Sequence, residues 1–440
     1  METVQTLPTL QAGYAKVDIT PDYPVGLGGY SNAESRRSVG IAARIYATCI
    51  ALTDGDETIL LYTIDNCACA RPIADQIREV VSAATQIPGE KIFCAATHSH
   101  NAPSLFGHPE AKMYMNELLA ACARGAQLAL ADRAPAKIMA AKKQFPGWNF
   151  TRHVELENGV SAGYDWRKHN SPIVGYAGTA DSEMILVKFA RENAKDILLI
   201  NWQGHPDCSS DIGFHLIAPS FVGPLRDTVE AGSGMEVAYF TGADGNMIID
   251  STIIKENKHG LKWRRYGVKI GTLALDLLDE MQEVEGSGIE TRRLIAEADV
   301  DHSWDHMVPQ ANEVYDLWKA TDKPTGDELG KKYNFSSVYQ ARAIRDRAKM
   351  GKTIEMELNA FRVGGVGFTT GTYEMFSESG IQIKEGSPYE FTFLLTGNSS
   401  YVPCDRAYNH RCYEADTGFY ARGTAEQLVE HYVQMLKSMK

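Results

Sequence analysis

The chain has 440 residues, with 44 Lys and Arg against 56 Asp and Glu for a net charge of −12, and 44% of it is hydrophobic. That apolar share excludes a disordered chain, and 38 glycines with 17 prolines in no fixed period exclude collagen-like or low-complexity architectures. The acidic balance argues against nucleic acid or an anionic membrane as partner. In chain order, β-branched runs bounded by turn residues predict strands at 13–19, 45–53 and 58–64, and an apolar spacing of three and four predicts a helix at 72–84. A strand follows at 91–96, a helix at 111–131, and strands at 137–143, 183–189 and 196–202. Next come a helix at 220–231, a strand at 235–240 and helices at 266–283, 312–319 and 337–349. Strands at 353–362 and 366–369 precede a last helix at 424–439, where Thr424 and Gln427 read as a capping box. Interleaved strands and helices make the fold class α/β. The polar, turn-rich segment 299–333 reads as a surface insertion within one domain, because strands resume after it without a new start signal.

No stretch of about 18 uninterrupted apolar residues predicts a membrane span, and the first residues show no secretory signal pattern. The eight cysteines (Cys49, Cys67, Cys69, Cys94, Cys122, Cys208, Cys404 and Cys412) form no CxxC pair. Sparse thiols in apolar runs read as reduced and buried, so a cytoplasmic location is expected.

Chemistry concentrates where strands end. The strand at 91–96 runs into Thr97-His98-Ser99-His100-Asn101. On an extended segment, alternation would put both imidazoles on one face, and His is the commonest metal ligand. The strand at 196–202 runs into Gln203-Gly204-His205-Pro206-Asp207, which aims His205 out of the sheet's end, where α/β sites collect. The strand at 235–240 runs into Thr241-Gly242-Ala243-Asp244-Gly245. Taken singly, each piece is equally an ordinary loop histidine or turn. No Gly-x-Ser-x-Gly elbow is present to support a serine hydrolase.

Taken together and in order, these pieces resemble the catalytic domain of the neutral ceramidases. The resemblance starts at Ala12-Gly13-Tyr14-Ala15-Lys16-Val17-Asp18-Ile19-Thr20-Pro21 and Gly26-Leu27-Gly28-Gly29-Tyr30. It continues through Ala96 to Pro103, Asn201-Trp202-Gln203-Gly204-His205, and Gly371-Thr372-Tyr373-Glu374-Met375-Phe376. It closes with Ser400-Tyr401-Val402 and, twelve positions on, Tyr413-Glu414. The resemblance implies one large catalytic domain over 1–440, with mixed β-sheets covered by helices and a metal site at strand ends. It implies one Zn²⁺ held by His98, His205, Glu374 and Tyr401. It gives His100 and Tyr413 the task of stabilising the oxyanion, and Arg152, in Asn149-Phe150-Thr151-Arg152, a polar or anionic part of the substrate. The implied reaction is hydrolysis of a small-molecule N-acyl bond.

The sequence departs from the family where substrate is bound. Asn101-Ala102-Pro103-Ser104-Leu105 replaces a glycine-rich run, and no basic amphipathic helix or aromatic run for lipid docking is visible. A soluble amide or ester, such as an N-acyl amino sugar, therefore stands beside ceramide as substrate, and a non-catalytic ligand-binding protein on the same scaffold is the alternative from another class. A metal-dependent phosphoesterase would need more carboxylates for two metals. His302 and His306 are expected on a solvated face or loop. His108, His169 and His215 lie in loops, and are either ordinary loop histidines or contacts to a ligand residue or the substrate, and Asp207 and Asp244 either orient a ligand histidine or cap turns.

Overall fold

The computed structural model describes residues 10–30, 35–55, 57–163, 170–207, 212–249, 262–409 and 412–439. The first sheet is built from β1 (Gln11–Asp18), β2 (Tyr46–Thr53), β3 (Thr58–Ile64), β4 (Ile92–Ala96), β5 (Ala134–Gln144), β6 (Glu183–Arg191), β7 (Ile197–Trp202) and β8 (Glu236–Thr241). Their order is β8-β7-β6-β5-β1-β2-β3-β4, and a short strand, Gln282–Val284, adds alongside β5. A second sheet has the order β9-β10-β11-β12, from Ile289–Asp299 (β9), Thr353–Val363 (β10), Val366–Gly371 (β11) and Phe391–Thr396 (β12).

Most neighbours are antiparallel, but β3 with β4, β7 with β8, and β11 with β12 are parallel. A parallel pair needs a crossover. These are supplied by the helices α1 (Arg71–Thr85), α3 (Val222–Ser233) and α8 (Ser377–Gly386). The second strand of the first pair (IFCAA), the first of the second (ILLINW) and the second of the third (FTFLLT) are buried at every position. They therefore read as continuous apolar runs rather than alternating ones.

The two sheets face each other across a core that includes Phe93, Val187, Leu199, Phe361, Phe368 and Phe393. Phe93 stacks on Phe361 at 4.5 Å and Phe361 on Phe368 at 4.7 Å. Burial of each such ring contributes roughly 1.5–3 kcal/mol. Outside the first sheet, α1 and α2 (Ala111–Ala131) cover one half, and α3 with α4 (Lys262–Leu277) cover the other. The last helix, α9 (Thr424–Lys437), covers the second sheet. The α/β class and the mixed sheets under helices agree with the sequence reading.

Several expectations are corrected. The last helix is not started by a capping box: Gly423, at φ 96°, is the N-cap, and the Thr424 hydroxyl donates back to the Ala421 carbonyl at 2.8 Å. The helix expected at 266–283 ends at Leu277, and the chain turns through Leu278–Glu280 into a strand. The strand β9 went unread because Glu290, Arg292, Arg293 and Glu297 line its more open positions. The segment 299–333 is largely helical, in α5 (Val308–Ala320) and α6 (Lys323–Lys332). With α7 (Val338–Arg347) these helices bury Ala311, Val314, Phe335, Val338, Ala341 and Ile344 in a core of their own.

Candidate metal centre

In α/β sheets, sites gather beyond the carboxyl ends of strands, and here the ends of the three parallel pairs are tied together. Thr241 Oγ1 donates to the Thr97 carbonyl at 2.9 Å, and Thr396 Oγ1 donates to the Thr241 carbonyl at 3.0 Å. Asn201 Nδ2 donates to the Phe240 and Leu394 carbonyls at 2.9 and 2.8 Å. Just past these ends lie His98 after β4, His205 after β7, Asp244 after β8, Glu374 after β11 and Tyr401 after β12. Glu374 and Tyr401 are register partners in a two-residue parallel bridge, which sets them side by side.

The two histidines of the HxH segment do meet, but not by strand alternation. The strand ends at Ala96, and His98 sits at φ 64°, in the left-handed region. That backbone is costly for a residue with a Cβ. It is held by Thr97 N donating to the Ile64 carbonyl at 2.9 Å and Ser99 N donating to the Asn66 carbonyl at 3.1 Å. The outcome is a tight imidazole cluster. His98 Nε2 lies 3.2 Å from His205 Nε2 and 3.3 Å from His100 Nε2. Glu374 Oε1 lies 3.6 Å from His98 Nε2 and 3.7 Å from His205 Nδ1, and Asp244 Oδ2 is 3.5 Å from His205 Nδ1.

Burial pushes the His98 imidazole down to about 4, and burial with the neighbouring imidazole of His98 pushes His100 and His205 well below the usual histidine range. These rings are neutral at pH 7 and can offer lone pairs. His98 Nδ1–H donates to the Cys67 carbonyl at 2.5 Å, leaving Nε2 for the centre. Burial raises the Asp244 and Glu374 carboxyls well above their ordinary values. Glu374 Oε1 and both carboxyl oxygens of Asp244 are buried without a hydrogen-bond partner among the described residues. Unpaired carboxylate oxygens are costly in a dry site. Converging imidazoles and such oxygens suit a cation, so the residues fit a zinc-type ion of nitrogen and oxygen coordination. His98, His205 and Asp244 offer ligand atoms within 4.8 Å of one another.

Around this centre lie the other expected residues. The ring of Tyr413, 39% exposed, stands edge-on to Tyr401 at 6.0 Å. Burial pushes its phenol up to about 12, so it keeps its proton near neutrality. Arg152 is buried: its Nε donates to Glu414, one of its terminal nitrogens donates to the Gly245 carbonyl at 2.6 Å, and its guanidinium lies 5.4 Å from the Tyr401 ring centre. Burial would raise the Glu414 carboxyl, but Arg152 and His153 hold it well below the usual range.

Some residues that shape the site carry no local sequence signal. Buried Arg36 donates to the carbonyls of His100 at 2.6 Å, Gly28 at 2.7 Å and Phe214 at 2.8 Å. Its guanidinium lies 4.7 Å from the Tyr30 ring centre and 4.4 Å from that of Phe214. Gly29, at φ 88°, passes so close to the His100 ring that a Cβ there would fall 2.4 Å from Cγ. Cys67 Sγ is 4.0 Å from His98 Nδ1.

Four further histidines have partners of their own, and His215 packs on Phe214, whose ring meets Tyr30 beside His100. His108 Nε2 donates to the Ser104 carbonyl at 2.6 Å, its Nδ1 lies 3.3 Å from Glu110 Oε2, and His215 Nδ1 donates to the Arg37 carbonyl at 2.9 Å. His302 is tied to Asp305 and the Gly351 carbonyl, and His306 stacks on Trp304. Asp207, partly buried, donates its N–H to the His205 carbonyl. His169 and Cys208 lie outside the described residues.

No protein-family model matches the sequence, and no curated protein matches it. Solved structures do. The crystal structure of neutral ceramidase from Pseudomonas aeruginosa superposes with a TM-score of 0.74 at 17% identity, covering 99% of this chain and 75% of that one. A structure described as ceramidase complexed with C2 gives 0.72 at 16% identity with the same coverage. The chain has a neutral ceramidase-like fold.

Proposed function

We propose that this chain, built on a neutral ceramidase-like fold, is a zinc-dependent hydrolase of linear amides, acting on a small-molecule N-acyl substrate. The observation that carries the reading is the convergence of His98, His205, Glu374 and Tyr401 from four strand ends, with Glu374 Oε1 left unpaired. These four residues hold the metal, and Asp244 steadies His205. Most of the chain then forms one catalytic body, since ligands as far apart as His98 and Tyr401 must share one ion. The helices within 299–333 are a surface insertion on that body.

Zinc, when bound, polarises a carbonyl oxygen and lowers the pKa of water toward neutrality. The chain's own residues supply the rest. His100 Nε2 and the Tyr413 hydroxyl donate to the carbonyl oxygen as charge develops on it; donors so placed are typically worth about 3–4 kcal/mol of barrier. Tyr413 suits that task because burial of its phenol raises it above its ordinary value, so it keeps its proton at neutral pH. Arg152, fixed by Glu414, sets a positive charge against Tyr401 and the polar end of the substrate. As a water oxygen bonds to the carbonyl carbon and the C–N bond breaks, Glu374 would take the proton that the water loses and give it to the leaving amine nitrogen, with a basicity that ligation limits.

The seven described cysteines are free, and six of them are buried, which supports a reducing, cytoplasmic compartment. Among the described residues no helix is long and apolar enough to cross a membrane. The test is a panel of N-acyl substrates scored for release of free amine, with chelator and after zinc is restored. Turnover that chelator abolishes and zinc returns supports the reading. Chelator-insensitive turnover, or none on any amide, overturns it.

A further inference from the structure

The helical lobe of α5, α6 and α7 holds a groove of about 390 Å³ whose lining includes Tyr315, Trp318, Lys319, Asp322, Tyr339 and Arg342. That volume lies in the range of small-molecule sites. Trp318 stands edge-on to Tyr315 at 5.6 Å and 83°, and to Tyr339 at 5.5 Å and 88°. The Trp318 ring therefore stands nearly perpendicular to both tyrosine rings. Cations brace the outer two: Arg345 lies 3.8 Å from the Tyr315 ring centre and Lys323 lies 5.3 Å from that of Tyr339.

One wall of the groove is linked by ring contacts to a residue of the metal centre. Tyr339 stands edge-on to Tyr413 at 6.2 Å, and Tyr413 stands edge-on to Tyr401 at 6.0 Å. Lys323 pairs with Asp327 at 2.6 Å, Arg342 with Asp346 at 3.5 Å, and Asp322 accepts from Thr325 N–H. An alkyl chain laid against these rings would take water from these groups and from Lys319 and give no hydrogen bond in return, and desolvating polar groups without compensation is costly. A pyranose or cyclic polyol has an apolar C–H face to lay on an aromatic ring, and a rim of hydroxyls that both accept from ammonium and guanidinium groups and donate to a carboxylate. It meets both halves of this lining.

We propose that the groove is a subsite for a hydroxylated ring, a sugar or cyclic polyol, joined to the amide whose carbonyl reaches His100. The proposal rests on the amidase reading for the link to catalysis, but binding in the groove does not.

The experiment has two arms on the full, zinc-loaded chain. Calorimetric titration with methyl N-acetyl-β-glucosaminide is compared with titration by N-octanoylethanolamine, in wild type, Trp318→Ala and Arg342→Ala. The second arm measures the ratio of kcat/KM for N-octanoylglucosamine over N-octanoylethanolamine. The expected result is saturable binding of the glycoside that weakens about tenfold in Trp318→Ala, with a similar fall in the ratio. Arg342→Ala, altered at a half-exposed side chain, is expected to weaken glycoside binding in the same direction and keeps the test available if Trp318→Ala does not fold. Glycoside binding that depends on Trp318, in a protein that cleaves no amide, keeps the subsite and overturns the amidase reading. Amide cleavage with no glycoside binding, or with binding indifferent to both substitutions, overturns the subsite alone.

Discussion

At the scale of single residues, the site depends on what packs closely against His100. A methyl group at Gly29 would meet the His100 ring and would strain a backbone at φ 88°. Gly29→Ala is therefore expected to cost about 1–2 kcal/mol of stability. It is also expected to lower kcat by up to roughly a hundredfold, the usual penalty for a misplaced group, while zinc content holds. Metal analysis beside steady-state kinetics checks this, and unchanged kcat would mean that His100 has no part in the reaction. Tyr413→Phe removes one hydroxyl and no packing, so it should lower kcat about 10²–10³-fold with zinc retained. His98 and His205 were legible in the sequence because each directly follows an apolar strand. Arg36 was not, because it works through three backbone carbonyls that the fold alone brings together. Cys67 and His153 were equally silent, since their neighbours His98 and Glu414 are distant in sequence.

At the scale of elements, the short helix Tyr413–Thr417 presents Tyr413 outward and Glu414 inward, where Arg152 and His153 grip the carboxylate. Glu414 is held well below its ordinary value of 4.5. The unfolded chain therefore takes up the proton first as pH falls. The stability from this pairing is complete above about pH 4.5 and is lost as pH drops through the folded value. Urea unfolding at pH 7 and pH 3.5 should show a steeper loss in wild type than in Glu414→Gln, whose neutral side chain has no proton to gain. Equal losses would show that the buried pairing adds nothing. The same helix is backed by the lobe at 299–347: Gln340 Nε2 donates to Asp416 Oδ1 at 3.2 Å, and Arg347 donates to the Gly418 carbonyl at 2.9 Å. The main strands were readable because burial on both faces leaves apolar runs. The helix α6 was not, because it is a polar surface helix started by Asp322 accepting from Thr325 N–H. The HxH geometry was misjudged for a related reason: nothing local in Thr97-His98-Ser99 announces the left-handed turn at His98.

At the scale of the whole molecule, the two sheets lock together through stacked phenylalanines and meet again at the proposed ion. His98 and His205 come from the first sheet, Glu374 and Tyr401 from the second. An ion that binds only the folded arrangement stabilises both sheets by mass action. Chelation should therefore lower one cooperative unfolding transition as a unit, by several degrees, in a calorimetric scan. Two separable transitions, with only one shifted, would mean that the chain is not a single catalytic body. Composition and motif order made the class and the strand-end site legible, but not the pairing of two sheets, since strand order leaves no local trace. The most direct test of the account is the zinc content of the purified protein and of its His98→Ala and Glu374→Ala variants. The account predicts about one equivalent per chain in wild type and near-complete loss in both variants. Less than half an equivalent in wild type, or zinc retained in both variants, would contradict it.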